Sequence, residues 1–164
     1  MCKEKKLIRY HGPAADYLRK PEPVKRLIKD ALKMKQEMES IRNRRADLFR
    51  MLGECPEYSD GDAFAEYAQR IFDLDLPDSD RRIMERYICY GELLHLLEKA
   101  LSTRIGGRNE MILLDCFFGK MKEEELAMKY GFSLRTIRRV KQTGRRAIGD
   151  EIKLRMALLP ELSW

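Results

Sequence analysis

The chain has 164 residues, 44% apolar and 37% charged, with a formal net charge of +6. That balance suits a soluble, helix-rich protein of one domain with or without a helical extension, and the positive excess suits an anionic partner. No run of about 18 apolar residues occurs, so no membrane-spanning helix is expected, and MCKEKKLIRYHG lacks the apolar core and cleavage site of a signal peptide, so a cytoplasmic protein is expected.

Residues 1–23 read as a flexible basic lead-in, punctuated by Gly12, Pro13, Pro21 and Pro23 too often for a long helix. Within it, 15–20 can form one or two helical turns. From 24 to 52, Val24, Leu27, Ala31, Met34, Met38, Ile41, Arg45, Leu48 and Leu52 alternate by three and four. This predicts one long heptad-patterned helix, with only Arg45 breaking its apolar seam. Two readings fit the pattern: a coiled coil that makes a homodimer through 24–52, or packing on other helices of the same chain, since Ile28 and Leu32 widen the stripe. Arg42, Arg44 and Arg45 are expected to pair with acids elsewhere.

Residues 53–62, GECPEYSDGD, are a loop by composition and the expected hinge. They lead into an acidic linker, 54–80, with nine acids against the single base Arg70. Three readings fit that block: contact with the basic N-terminal helix, restraint of the basic face that the C-terminal region carries when its partner is absent, or plain solvation. A short amphipathic helix is expected over 62–74. Pro77, Asp78, Ser79 and Asp80 give turn and cap signals before a second long helix, 81–103, with Ile83, Tyr87, Tyr90, Leu94, Leu97 and Leu101 repeating helically. After Ile105, Gly106 and Gly107, Asn109 is placed to cap a helix over 110–118, whose Met111, Leu114, Phe117 and Phe118 support the region that follows.

That region, 122–142, reads as two short helices joined by a three-residue turn. Leu126, Ala127 and Tyr130 form the buried stripe of the first, and Glu123, Glu124 and Glu125 suit its positive N-terminal end. Gly131 stands where a helix commonly ends in a left-handed residue, Phe132 plugs the corner, and Ser133 can cap the second helix. At about 100° per residue, Leu134, Ile137, Val140, Gly144 and Ile148 gather on one side of that helix, with Arg135, Arg138, Arg139, Gln142 and Arg146 opposite. Gly144 on the inner side predicts close backbone packing. Helical periodicity continues through Ile152 and Met156 to 159, where Pro160 is expected to stop it, leaving a tail over 160–164.

From 126 to 149 there are seven basic residues and no acid. A phosphate-bearing partner accounts for such a one-signed face, and a helix-turn-helix places its second helix in the DNA major groove, where arginine pairs with guanine and glutamine with adenine. Arg135, Arg138, Arg139 and Gln142 are the candidate base readers, with Ser133 and Thr136 at the helix start. Lys129, Lys141, Arg145 and Arg146 are the candidate phosphate contacts.

On these residues, 96–153 resembles the fourth region of bacterial sigma factors, the module that reads the upstream promoter element. ILLDCFFGKMKEEELAMKYGFSLRTIRRVKQ has that family's order of a hydrophobic helix, an acidic-Leu-Ala helix, a Gly-x-Ser turn and an Ile-Arg recognition helix. The resemblance implies that Arg135, Arg138 and Arg139 face bases and that RNA polymerase is a partner. Lys122 stands where the family has a capping Thr or Ser, and Leu134 where it often has arginine. The overall layout resembles small sigma-like regulators of phages and mobile elements, of the ArpU and RinA type. The expected fold is therefore all-α, with a C-terminal helix-turn-helix domain over 81–159 preceded by the long N-terminal helix.

Cys2, Cys55, Cys89 and Cys116 form no CxxC pair, and with only His11 and His95 no zinc spacing exists. Cys89 and Cys116 are expected to pack as small hydrophobes, Cys55 to be an exposed thiol, and His95 to be an ordinary helix residue. Neither GxxxxGK[ST] nor GxGxxG occurs. No cofactor and no enzymatic activity are expected; the reading is a double-stranded-DNA-binding transcription regulator. Two other classes carry the same features: a DNA-packaging assembly protein of the phage terminase small-subunit kind, and a protein-interaction module that never touches DNA.

Overall fold

The computed structural model describes the backbone of residues 14–162 and the side chains of 14–157; the expectations for 1–13 and for the last two residues of the tail, 163–164, lie outside the described residues. Every regular element among the described residues is an α-helix. In chain order these are α1 over 14–18, α2 (Pro23–Arg44), α3 (Ala46–Leu52), α4 (Gly61–Asp73), α5 (Asp78–Arg104), α6 (Gly107–Phe117), α7 (Glu123–Tyr130) and α8 (Leu134–Leu162). The all-α class is as expected.

α5 is the helix around which the others assemble. Met84, Tyr87, Ile88, Gly91, Leu93, Leu94, Leu96, Leu97, Ala100 and Leu101 are all buried, on more than one face of the helix. A helix apolar most of the way round belongs in an interior. α2, α4, α6 and α8 pack directly against it. The buried apolar cluster runs from Ala14 to Ile152 and draws on every helix. Glu92 is buried within it at 2% exposure and pairs with Arg155 of α8, while Arg104 reaches Glu151 at 3.0 Å. These two pairs tie the C-terminal half of α8 to α5.

The single helix expected over 24–52 is instead two. α2 ends at Arg44 and Arg45 leaves helical geometry, with φ −117° and ψ 38°. Its guanidinium reaches Asp80 at 2.7 Å, in the first turn of α5, where the positive helix end also favours the carboxylate. Periodicity continues across the break, which is why the sequence reads straight through it. Leu27, Ala31, Met34, Met38 and Ile41 are buried within the chain. Of the acidic linker, Glu57 contacts Arg42 at 3.8 Å and Asp80 holds Arg45, while Asp60 caps α4 through the Ala63 N–H at 3.2 Å. Glu54, Glu66, Asp75 and Asp78 are exposed.

Smaller departures have local causes. α5 begins at Asp78, not 81, its N-terminal acids lying inside the first turn. α6 starts at Gly107 after Gly106, so Asn109 is not its cap. α8 runs through Pro160 to Leu162, since a proline this close to a helix end leaves only one carbonyl without its bond. Cys55 is not an exposed thiol: it is half-buried, its Sγ lies 3.4 Å from the Tyr87 hydroxyl, and burial pushes its pKa up. Cys89 and Cys116 are partly buried among apolar neighbours.

Candidate nucleic-acid interface

α7 begins after Lys122, whose N–H donates to Glu125 Oε2 at 2.8 Å. This is the half of a capping box that a glutamate at the third helical position supplies, so the missing Thr or Ser is compensated from the other side. α7 ends at Gly131, φ 70° and ψ 34°. The Phe132 N–H donates to Ala127 O at 3.1 Å, the six-to-one bond of a Schellman turn, which needs the left-handed residue that glycine adopts without strain. Ser133 Oγ then accepts the Thr136 N–H at 3.2 Å and lies 3.0 Å from Thr136 Oγ1, capping α8 as its position predicts.

The inner side of α8 is fixed by burial. Ile137, Val140, Ala147, Ile148 and Ile152 are buried, and a Cβ added at Gly144 would stand 2.6 and 2.8 Å from the two methyl carbons of Leu113. α8 therefore approaches α6 as closely as its backbone permits. Two sequence assignments shift here. Leu134, counted with the inner side, is 37% exposed at the first position of α8, where the helix has no preceding turn to shield it. Met111 is 58% exposed, whereas Phe117 is buried and Leu114 and Phe118 pack partly buried against the core beside the buried Ile112 and Leu113.

The outer side carries Arg135, Arg139, Gln142 and Arg146, all exposed and spaced by four, three and four residues. That spacing confines them to a stripe roughly 60° wide, opposite Ile137 and Gly144. From Arg135 to Gln142 the rise is about 10 Å. Among the described residues no ion pair involves Arg135, Arg139, Arg145 or Arg146. The other basic candidates have partners. Arg138 Nε donates to Glu123 Oε2 at 2.9 Å and Lys141 Nζ to Glu123 Oε1 at 3.1 Å, so both are drawn to the side of α8 that borders α7. Lys129 Nζ donates to Asp115 Oδ2 at 2.7 Å.

Three supporting residues escaped the sequence reading. Asp115 of α6 accepts from both Lys129 and the Tyr130 hydroxyl, which hold its carboxyl below the usual carboxylate range. Arg108 donates to the Tyr130 carbonyl and lies 4.7 Å from the Phe132 ring centroid, bracing the α7–α8 turn. Glu123 links α7 to α8, and the same two cations depress its pKa. Each contact spans 14 to 24 residues of sequence, beyond the reach of any local pattern. The first-turn position of Glu123 signals only a favourable helix end.

Chemically, the outer face offers N–H donors and positive charge with no exposed carboxylate between Leu134 and Gly149. Such a face is chemically complementary to phosphate and base-edge acceptors. A separate groove of about 960 Å³ lies where α2, α3 and the 53–58 loop meet, lined in part by Lys35, Arg42, Phe49, Cys55 and Tyr87. Among the described residues no helix is long and apolar enough to cross a membrane. Protein-family models, curated proteins and solved structures give no match to the chain.

Proposed function

We propose that the protein is a non-enzymatic, sequence-specific DNA-binding transcription regulator in which α7 and α8 act as a helix-turn-helix, with α8 lying in the major groove. The observation that carries this reading is the exposed stripe of Arg135, Arg139, Gln142 and Arg146, whose arginines have no ion pair among the described residues, on a helix whose opposite side is anchored in the core. The rise of about 10 Å from Arg135 to Gln142 fits within a major groove about 12 Å wide. Arg135, Arg139 and Gln142 are its base readers. Lys129, Lys141, Arg145 and Arg146 supply phosphate attraction. The likeness of 96–153 to the fourth region of sigma factors points to a promoter element as target and RNA polymerase as a second partner. Ser133 and Thr136 hydroxyls are already engaged in the cap, so they contribute to the geometry of the helix start.

A dimer through 24–52 would require Leu27, Ala31, Met34, Met38 and Ile41 to leave the core, so the binding unit in this reading is one chain. Sedimentation of the free protein tests that.

Selection of bound duplexes from a random pool at near-physiological salt tests the function. Wild type should enrich a defined motif, and Arg135→Ala/Arg139→Ala should lose it. Arg139→Ala alone should cost about 1 to 3 kcal/mol on the preferred site, whereas Arg145→Ala should weaken all DNA alike and lower the salt slope by about 1. Binding without any enriched motif, by a ring-shaped oligomer, would instead favour a packaging role; no binding at all would favour a protein partner.

A further inference from the structure

Among the described residues, Arg138 alone of the candidate base readers has a side-chain partner, and the contact is made in a particular way. Glu123 sits at the start of α7 with its side chain 27% exposed, while that of Arg138 is 63% exposed. The guanidinium thus extends past the carboxylate toward solvent. Contact is made through Nε alone; Nη1 and Nη2 form no hydrogen bond among the described residues. Lys141 Nζ holds the other carboxylate oxygen at 3.1 Å, so Glu123 is fixed from two sides and its charge is more than neutralised locally.

We infer that Glu123 is a specificity-determining positioning residue: it orders Arg138 so that the paired Nη1 and Nη2 donors are presented to O6 and N7 of one guanine, at the edge of the site read by Arg135, Arg139 and Gln142. This rests on the DNA-binding reading. A free arginine samples many rotamers and can satisfy itself equally on any phosphate, which adds affinity without sequence choice. An arginine tethered at Nε loses that freedom before binding, and its remaining fork matches guanine in the major groove. The carboxylate adds a second discrimination, because it repels phosphate oxygens that approach the same guanidinium. Lys141, its side chain 21% exposed, holds the other oxygen of that carboxylate and so fixes its orientation.

The test compares wild type, Glu123→Ala, Glu123→Gln, Arg138→Ala and Glu123→Ala/Arg138→Ala in duplex selection and in titrations on the selected site and on random DNA, with thermal melting to verify folding. Glu123→Ala should flatten the preference at the same base pair as Arg138→Ala, by on the order of tenfold. Affinity for random DNA should stay level or rise, since a negative charge has left the interface. The double variant should be no worse than Arg138→Ala, and Glu123→Gln, which keeps a neutral acceptor, should fall between wild type and Glu123→Ala. An unchanged motif with tighter binding to all DNA would overturn the inference and make Glu123 a plain electrostatic brake. Additive losses in the double variant would overturn it too. If wild type itself selects no motif, the DNA-binding reading fails first, and that failure is visible without any Glu123 variant.

Discussion

Replacing Gly144 by alanine sets two effects of known size against each other. Alanine in a helix interior is favoured over glycine by up to about 1 kcal/mol. Against this, the new methyl would stand 2.6 and 2.8 Å from the two methyl carbons of Leu113. Both distances are roughly 1 Å short of ordinary carbon–carbon contact. Leu113 is fully buried, and close-packed interiors leave little room for its methyls to retreat. Overpacking of this kind costs typically about 1 to 3 kcal/mol, and with two methyls displaced at once the upper half of that range applies. The net expectation is a loss of about 1 to 2 kcal/mol, or a fall in Tm of about 3 to 6 °C for a chain of this size. Thermal and urea unfolding followed by far-UV circular dichroism would read it. The double variant Leu113→Ala/Gly144→Ala should be more stable than the sum of its single variants predicts, by on the order of 1 kcal/mol, because the shortened side chain leaves space for the new methyl. A rise in Tm for Gly144→Ala, or strict additivity, would refute the claim that α8 rests on α6 through this glycine. DNA selection by the same variant should weaken as well, since Gly144 lies between Gln142 and Arg145 on the same helix.

Three further outcomes follow from particular contacts. Ser133→Ala should lose about 1 kcal/mol of stability, the usual value of a helix cap, in urea unfolding. Asp115 has a folded pKa below its unfolded value of about 3.9, so its contribution is fully present above that value and is lost as pH falls through the lowered folded one. Melting of wild type should therefore decline more steeply than that of Asp115→Asn as pH drops below about 4, and parallel curves would show that Lys129 and Tyr130 do not stabilise the carboxylate. Arg155→Met should cost about 3 kcal/mol or more by withdrawing the guanidinium from the buried Glu92, and Glu92→Met/Arg155→Met should recover most of it. A double variant as unstable as the single would mean that the carboxylate is not the source of the loss.

α8 joins two roles along one helix. Its N-terminal half, through Arg146, carries the exposed arginines, and its later turns carry Ile148 and Ile152 into the core while Glu151 and Arg155 pair with α5. In the proposed reading, whatever perturbs the α5–α8 contact also tilts the face presented to DNA. The Arg155 variant offers a check on that coupling, since its effect should extend to site affinity at temperatures where it is still folded.

What the sequence determined by itself is what chain neighbours decide. Gly131 and Ser133 act within one helical turn of their own position, through the left-handed turn and the side-chain cap, and both are found as expected. The opposition of Ile137, Val140 and Ile148 to Arg135, Arg139 and Gln142 needs only the helical repeat of 3.6 residues, and it too is found. The break at Arg45, the partners of Arg138, Lys129 and Arg108, and the central burial of α5 needed the tertiary structure. Arg45 leaves the helix at the point where it meets Asp80, which lies 35 residues further along the chain. Arg138, the same residue type as Arg139 and its neighbour, differs from it only because α7 brings Glu123 to one side of α8 and not the other. Periodicity gives each side chain a direction around its own helix axis; which group meets it there depends on how the helices pack, and that is a property of the whole chain.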